Sequence, residues 1–62
     1  METKPRKVDK RTAEKLIRAA YDFEIVAARL RLSGHEHIAN AVADTSARLG
    51  QSGRSLLDAL EA

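Results

Sequence analysis

Ala13, Leu16, Ala20, Phe23, Ala27 and Leu30 recur at steps of three, four, three, four and three. A strand places alternate residues together, so this spacing leaves only a helix; at about 100° per residue the whole series falls within about 100° of arc. A second series, Ile17, Tyr21, Ile25, Ala28 and Leu32, occupies another side of the same helix. The polar ridge left between them is narrow, consisting of Lys15, Arg18, Asp22 and Arg29. The spacing predicts a helix over residues 10–32 with Asp9 or Thr12 as its cap. A helix that is apolar on two sides must be covered on two sides. One short companion cannot do that, and self-association follows as an expectation.

The alanines have their own period. Ala13, Ala20 and Ala27 are seven residues apart, with Leu16, Phe23 and Leu30 between them. Small residues at one heptad position let a second helix approach closely, which suits antiparallel pairing. The segment Leu32-Ser33-Gly34-His35-Glu36 supplies the reversal. Gly34 can take the left-handed conformation that ends a helix, and Ser33 with Glu36 fits the capping box that starts one. Either use gives a short connection and therefore antiparallel neighbours.

Beyond the turn, a second helix is expected over residues 35–49, with Ile38, Val42, Thr45 and Leu49 on its inner face and Ala41 beside them. Phe23 is expected to be buried against Ile38 or Val42. Gly50 and Gly53 follow closely, each costing about 1 kcal/mol relative to Ala inside a helix. A stop near Gly50 and a short third helix over 53–61, carrying Leu56, Leu57 and Leu60, is the favoured reading. The alternative is one continuous second helix, because Val42, Leu49 and Leu56 keep heptad phase. The fold class is thus all-α: an antiparallel hairpin with a short third helix, dimerising into a helical bundle. The segment Ile38–Leu49 faintly resembles a helix-turn-helix, but Ala43 stands where that turn usually carries Gly, and a plain amphipathic helix is simpler.

Eleven of the 62 residues are Ala, and Tyr21 and Phe23 are the only aromatics. The core must come from Ala and a modest set of Leu, Ile and Val. There is no Cys, which excludes disulfides and thiolate metal sites. No apolar run reaches the about 18–20 residues of a membrane span, and no signal-peptide core follows Met1. The expectation is a soluble, cytoplasmic protein with no membrane contact.

The net charge of +2 is unevenly distributed. Residues 1–18 hold seven Lys and Arg against three acids, whereas residues 19–62 hold four Arg against six. Residues 1–8, with Pro5 and four charges, read as a flexible basic arm before a single helical domain over 9–62. Lys4, Arg6, Lys7, Lys10 and Arg11 are the candidate nucleic-acid contacts.

Catalytic patterns are lacking. His35 and His37, two residues apart, diverge by about 200° on a helix and cannot share a metal ion there. No nucleophile elbow, P-loop or dinucleotide glycine pattern occurs. The sequence therefore reads as a non-enzyme without catalytic, cofactor or metal residues. It is expected to be a small regulator or adaptor working through protein–protein contacts of a homodimeric bundle, with Tyr21, Ile25, Leu32 and Leu57 at a dimer or partner interface. The competing reading is a nucleic-acid-binding regulator that uses the basic arm.

Overall fold

The computed structural model describes residues 8–61. The chain forms two helices, α1 (Lys10–Leu32) and α2 (Glu36–Glu61), packed against each other as a hairpin. The basic arm expected over residues 1–8 lies, apart from Val8, outside the described residues, as do Lys4, Arg6 and Lys7.

Helix α1 begins where the sequence reading placed it. Asp9 has extended backbone, and its side chain accepts from the Thr12 amide at 3.2 Å. One of the free N–H groups of the first turn is satisfied in this way. At the other end Gly34 has φ +85°. The Gly34 amide donates to the Arg31 carbonyl at 3.1 Å, and the His35 amide reaches back to Leu30 at 2.8 Å. These two bonds make a Schellman cap. The His35 carbonyl then accepts from the Ala39 amide at 2.9 Å, so α2 starts with almost no linker. Two short contacts tie the ends of the hairpin. Arg31 donates to the Asn40 side chain at 3.2 Å beside the turn, and Lys10 pairs with Glu61 at 3.6 Å at the open end. The Lys10–Glu61 pair is exposed and contributes little stability.

The seam between the helices is made of small residues. Ala13, Ala20 and Ala27 of α1 are buried, and so are Ala39, Ser46 and Gly53 of α2. Gly53 lies against Ala13 and Ile17, and the Ser46 hydroxyl donates to the Ala20 carbonyl at 2.6 Å. The same seven-residue step, run in opposite directions, brings Ala39 level with Ala27. The alanine period thus marks the line of closest approach, as the sequence suggested.

Three expectations are corrected. First, α2 is unbroken from Glu36 to Glu61 and runs through Gly50 and Gly53, so there is no separate helix over 53–61. A Cβ at position 53 would stand 3.0 Å from the Ala13 carbonyl oxygen and 3.2 Å from the Ile17 nitrogen. The glycine that weakens the helix locally is what admits the neighbouring backbone. Secondly, the inner line of α2 is Ala39, Ser46 and Gly53, not Ile38, Val42, Thr45 and Leu49. Val42 and Leu49 are half-buried beside it, while Ile38 and Thr45 are exposed. Close approach selects small side chains for the centre and displaces large ones to the flanks. Thirdly, Phe23 is not buried within the chain: it keeps 39% of its surface exposed. Its ring is too large for the seam and stands beside it.

Candidate interaction surfaces

The seam divides the hairpin into two faces. Taking about 100° per residue from the seam residues, Leu16, Ala19, Phe23, Val26 and Leu30 of α1 fall on one side. Ile38, Val42, Leu49, Leu56 and Leu60 of α2 fall on the same side, because the helices run antiparallel. Leu16, Leu30, Val42, Leu49 and Leu56 are half-buried. Phe23, Val26, Ile38 and Leu60 are exposed. The gaps between them are filled by Thr12, Thr45 and Ser52, and the Thr45 hydroxyl bonds back to the Ala41 carbonyl at 3.0 Å. Among the described residues no charged residue falls between these positions on either helix at that spacing, and Lys15, about 20° beyond Val26, comes nearest, although 32% of the chain is charged. That segregation makes it a continuous apolar surface spanning both helices.

The other face is an open groove of mixed polarity. Ala20, Ser46 and Gly50 form its floor, Ile17, Tyr21 and Glu24 one wall, and Ala47, Gln51 and Arg54 the other, with Asp58 at one end. Every charged residue in it is exposed. Among the described residues no three His, Cys, Asp or Glu side chains come together to hold a metal ion, and His35 and His37 are both exposed. No helix among the described residues is long and apolar enough to cross a membrane.

The residues expected at an interface do not form one patch. Tyr21, Ile25 and Leu32 lie along the outer, groove-side flank of α1, and Leu32 at the turn is 89% exposed. Leu57 is half-buried near the open end, about 30 Å along α2 from its start. Lys10 and Arg11, expected as nucleic-acid contacts, occupy the first turn of α1, and Lys10 is engaged by Glu61.

Sequence reasoning missed a concave surface on the outside of α1. Arg11, Glu14, Lys15, Ile17, Arg18 and Tyr21 line it. The basic residues and the only tyrosine share one side of the helix because they follow at steps of three or four. The sequence reading places Lys15 and Arg18 on the polar ridge and Tyr21 in the second apolar series, but does not join them into one surface. Comparison with protein-family models, curated proteins and solved structures finds no match to this chain.

Proposed function

We infer that the protein is a small, non-enzymatic interaction module, a regulator or adaptor, that acts as a homodimer in which the Phe23 face of each hairpin is covered by the same face of a second copy. The charge-free apolar face on a molecule one layer thick carries this reading. The smallest extent of the molecule is 14 Å, little more than one helix diameter. Stable domains pack two layers around a core, and among the described residues the buried ones are four alanines, one serine and one glycine. A second hairpin laid face to face supplies the missing layer and encloses Phe23, Leu49 and Leu56 in a four-helix bundle. The face is about 35 Å long and about 20 Å wide, so it offers about 700 Å² in projection. Standard protein interfaces take about 800 Å² from each partner. A two-fold arrangement needs only a self-complementary patch, which an uncharged apolar face provides.

Light scattering and sedimentation at low micromolar concentration test the assembly. The expected mass is about twice 6.8 kDa. Val26→Lys and Phe23→Asp place charges in the proposed contact, and each is expected to lower the dimer fraction and the helical content together. A monodisperse monomer that unfolds cooperatively, with the same midpoint at every concentration, refutes the reading.

A further inference from the structure

We propose that the outer surface of α1 binds single-stranded nucleic acid, with Arg11, Lys15 and Arg18 against phosphates and the Tyr21 ring stacked on a base. The proposal goes beyond self-association. The surface lies outside the Phe23 face and is available to a monomer or a dimer alike.

Three observations carry it. The first is spacing. Arg11, Lys15 and Arg18 stand at i, i+4 and i+7 on one helix, a line of cations about 10 Å long that a phosphate backbone can follow. The second is availability. The one ion pair among the described residues joins Lys10 to Glu61, so neither Glu14, which lines this surface, nor Asp22, one turn beyond Arg18 on the same ridge, holds any of the three cations within 4 Å. The third is the aromatic ring. Tyr21 lines the same concavity and leaves 61% of its surface exposed. A cationic groove with an accessible ring beside it is the combination that binds single strands: charge tracks the backbone and the ring stacks on a base. Paired bases in a duplex are not available for such stacking.

The distribution of acids agrees. Among the described residues positive charge is concentrated on α1, whose Lys10, Arg11, Lys15, Arg18, Arg29 and Arg31 outnumber Glu14, Asp22 and Glu24. On α2 the balance reverses, with Arg48 and Arg54 against Glu36, Asp44, Asp58 and Glu61. The excess of acids, which repels a polyanion, therefore lies on α2, and a strand on the outside of α1 avoids it. An acidic peptide would satisfy the cations but has no need of the exposed ring.

The test exploits composition: Tyr21 is the only tyrosine and there is no tryptophan, so intrinsic fluorescence reports this position alone. The full chain is titrated with a labelled oligouridylate of about 15 nucleotides, a DNA duplex of similar length, and poly-glutamate, at several salt concentrations. Expected are quenching of the tyrosine emission by the single strand and a slope of log K on log[salt] near −2, from about −0.7 for each of three phosphates. Lys15→Gln and Arg18→Gln are each expected to reduce that slope by about 0.7. Tyr21→Leu should weaken binding about tenfold with the slope unchanged. All these positions are exposed, so circular dichroism should show unchanged helicity. The proposal is overturned if the oligouridylate does not bind at about 50 mM salt. It is equally overturned if the tyrosine emission does not respond, if Tyr21→Leu binds as the parent does, or if the duplex or poly-glutamate binds as tightly as the single strand. Sedimentation of the free protein is unaffected by any of these outcomes, so failure here and failure of the dimer are separable.

Discussion

The two glycines of α2 lie three residues apart in one helix, yet alanine should affect them in opposite directions. In a helix interior, Gly→Ala removes backbone freedom from the unfolded chain and gains about 1 kcal/mol at either position. What differs is the surroundings. A Cβ on residue 50 meets the Ala20 Cβ at 3.5 Å, an ordinary van der Waals contact, so Gly50→Ala keeps its full gain. A Cβ on residue 53 would meet Ile17 Cγ1 at 2.7 Å, the Ala13 carbonyl oxygen at 3.0 Å and the Ile17 nitrogen at 3.2 Å. Two of those atoms are backbone, and the third belongs to a β-branched side chain whose χ1 is restricted. None can yield without moving the helices apart.

Overpacking of this kind typically costs about 1–3 kcal/mol, and the backbone contacts place Gly53→Ala at the upper end. Subtracting the propensity gain leaves a net loss of about 2 kcal/mol. The two single variants should therefore differ by about 3 kcal/mol, with wild type between them. In a domain of this size each kcal/mol moves the midpoint by about 4–8 °C, so the separation in Tm is about 12–24 °C. Thermal unfolding followed by circular dichroism measures it, with all proteins at one chain concentration because self-association would shift every midpoint. Adding Ile17→Ala to Gly53→Ala removes the 2.7 Å contact and leaves the two backbone contacts, so the double variant should show a favourable coupling without full recovery. A Gly53→Ala protein that melts at or above wild type would show that the helices are not this close at the open end.

Two further substitutions probe the turn and the seam. Gly34→Ala should cost about 1–2 kcal/mol from the left-handed conformation alone, since φ is +85° and no atom lies within 4 Å of a new Cβ; Gly34→Asn should cost less, and denaturant titration can rank the three. Ser46→Ala loses the buried bond to the Ala20 carbonyl, about 1 kcal/mol, but regains about 0.5 kcal/mol of helix propensity; a loss above about 2 kcal/mol in the same titration would show that this bond is worth more than an ordinary neutral hydrogen bond.

Helix α1 and the turn were legible in the sequence because the signals there are local and mutually consistent. An unbroken 3-4 series, an Asp before it and a Gly after it all describe one helix, and the structure has that helix from Lys10 to Leu32. Helix α2 was misread twice for one reason. A propensity argument sees only the local penalty at Gly50 and Gly53, not the α1 backbone that fills the vacant Cβ position at Gly53. A hydrophobicity argument points the helix along its bulkiest residues, Ile38, Val42 and Leu49, and so rotates its inner face by about 60°. The corrective signal was present: Ala39, Ser46 and Gly53 repeat the seven-residue spacing of Ala13, Ala20 and Ala27. Two small-residue heptads on either side of a tight turn define a seam together, which neither defines alone. The surfaces were harder to read. Sequence pattern shows that α1 is apolar on two sides, but which side the companion helix takes depends on how closely the backbones can approach.

The same close approach explains why the large apolar residues are on the outside. With only Ala, Ser and Gly in the seam, little side-chain volume separates the helices, and a Phe or Leu there would force them apart. Phe23, Leu49 and Leu56 must stand beside the seam, and because the helices are antiparallel they all flank it on one side. The seam contributes direction and register: a Schellman cap, a buried hydroxyl bond and a glycine contact admit one alignment of α1 on α2. It contributes little hydrophobic stabilisation, since burying alanine methyls removes far less apolar surface from water than burying leucines. The division leaves Leu16, Leu30, Val42, Leu49 and Leu56 half-buried and Phe23, Val26, Ile38 and Leu60 exposed on the Phe23 face, where the rest of their burial would come only from contact with another surface. In the proposed dimer, order within the hairpin and stability of the assembly are thus assigned to different residues: a substitution on the Phe23 face should act chiefly through association, whereas one in the seam should act on the hairpin itself.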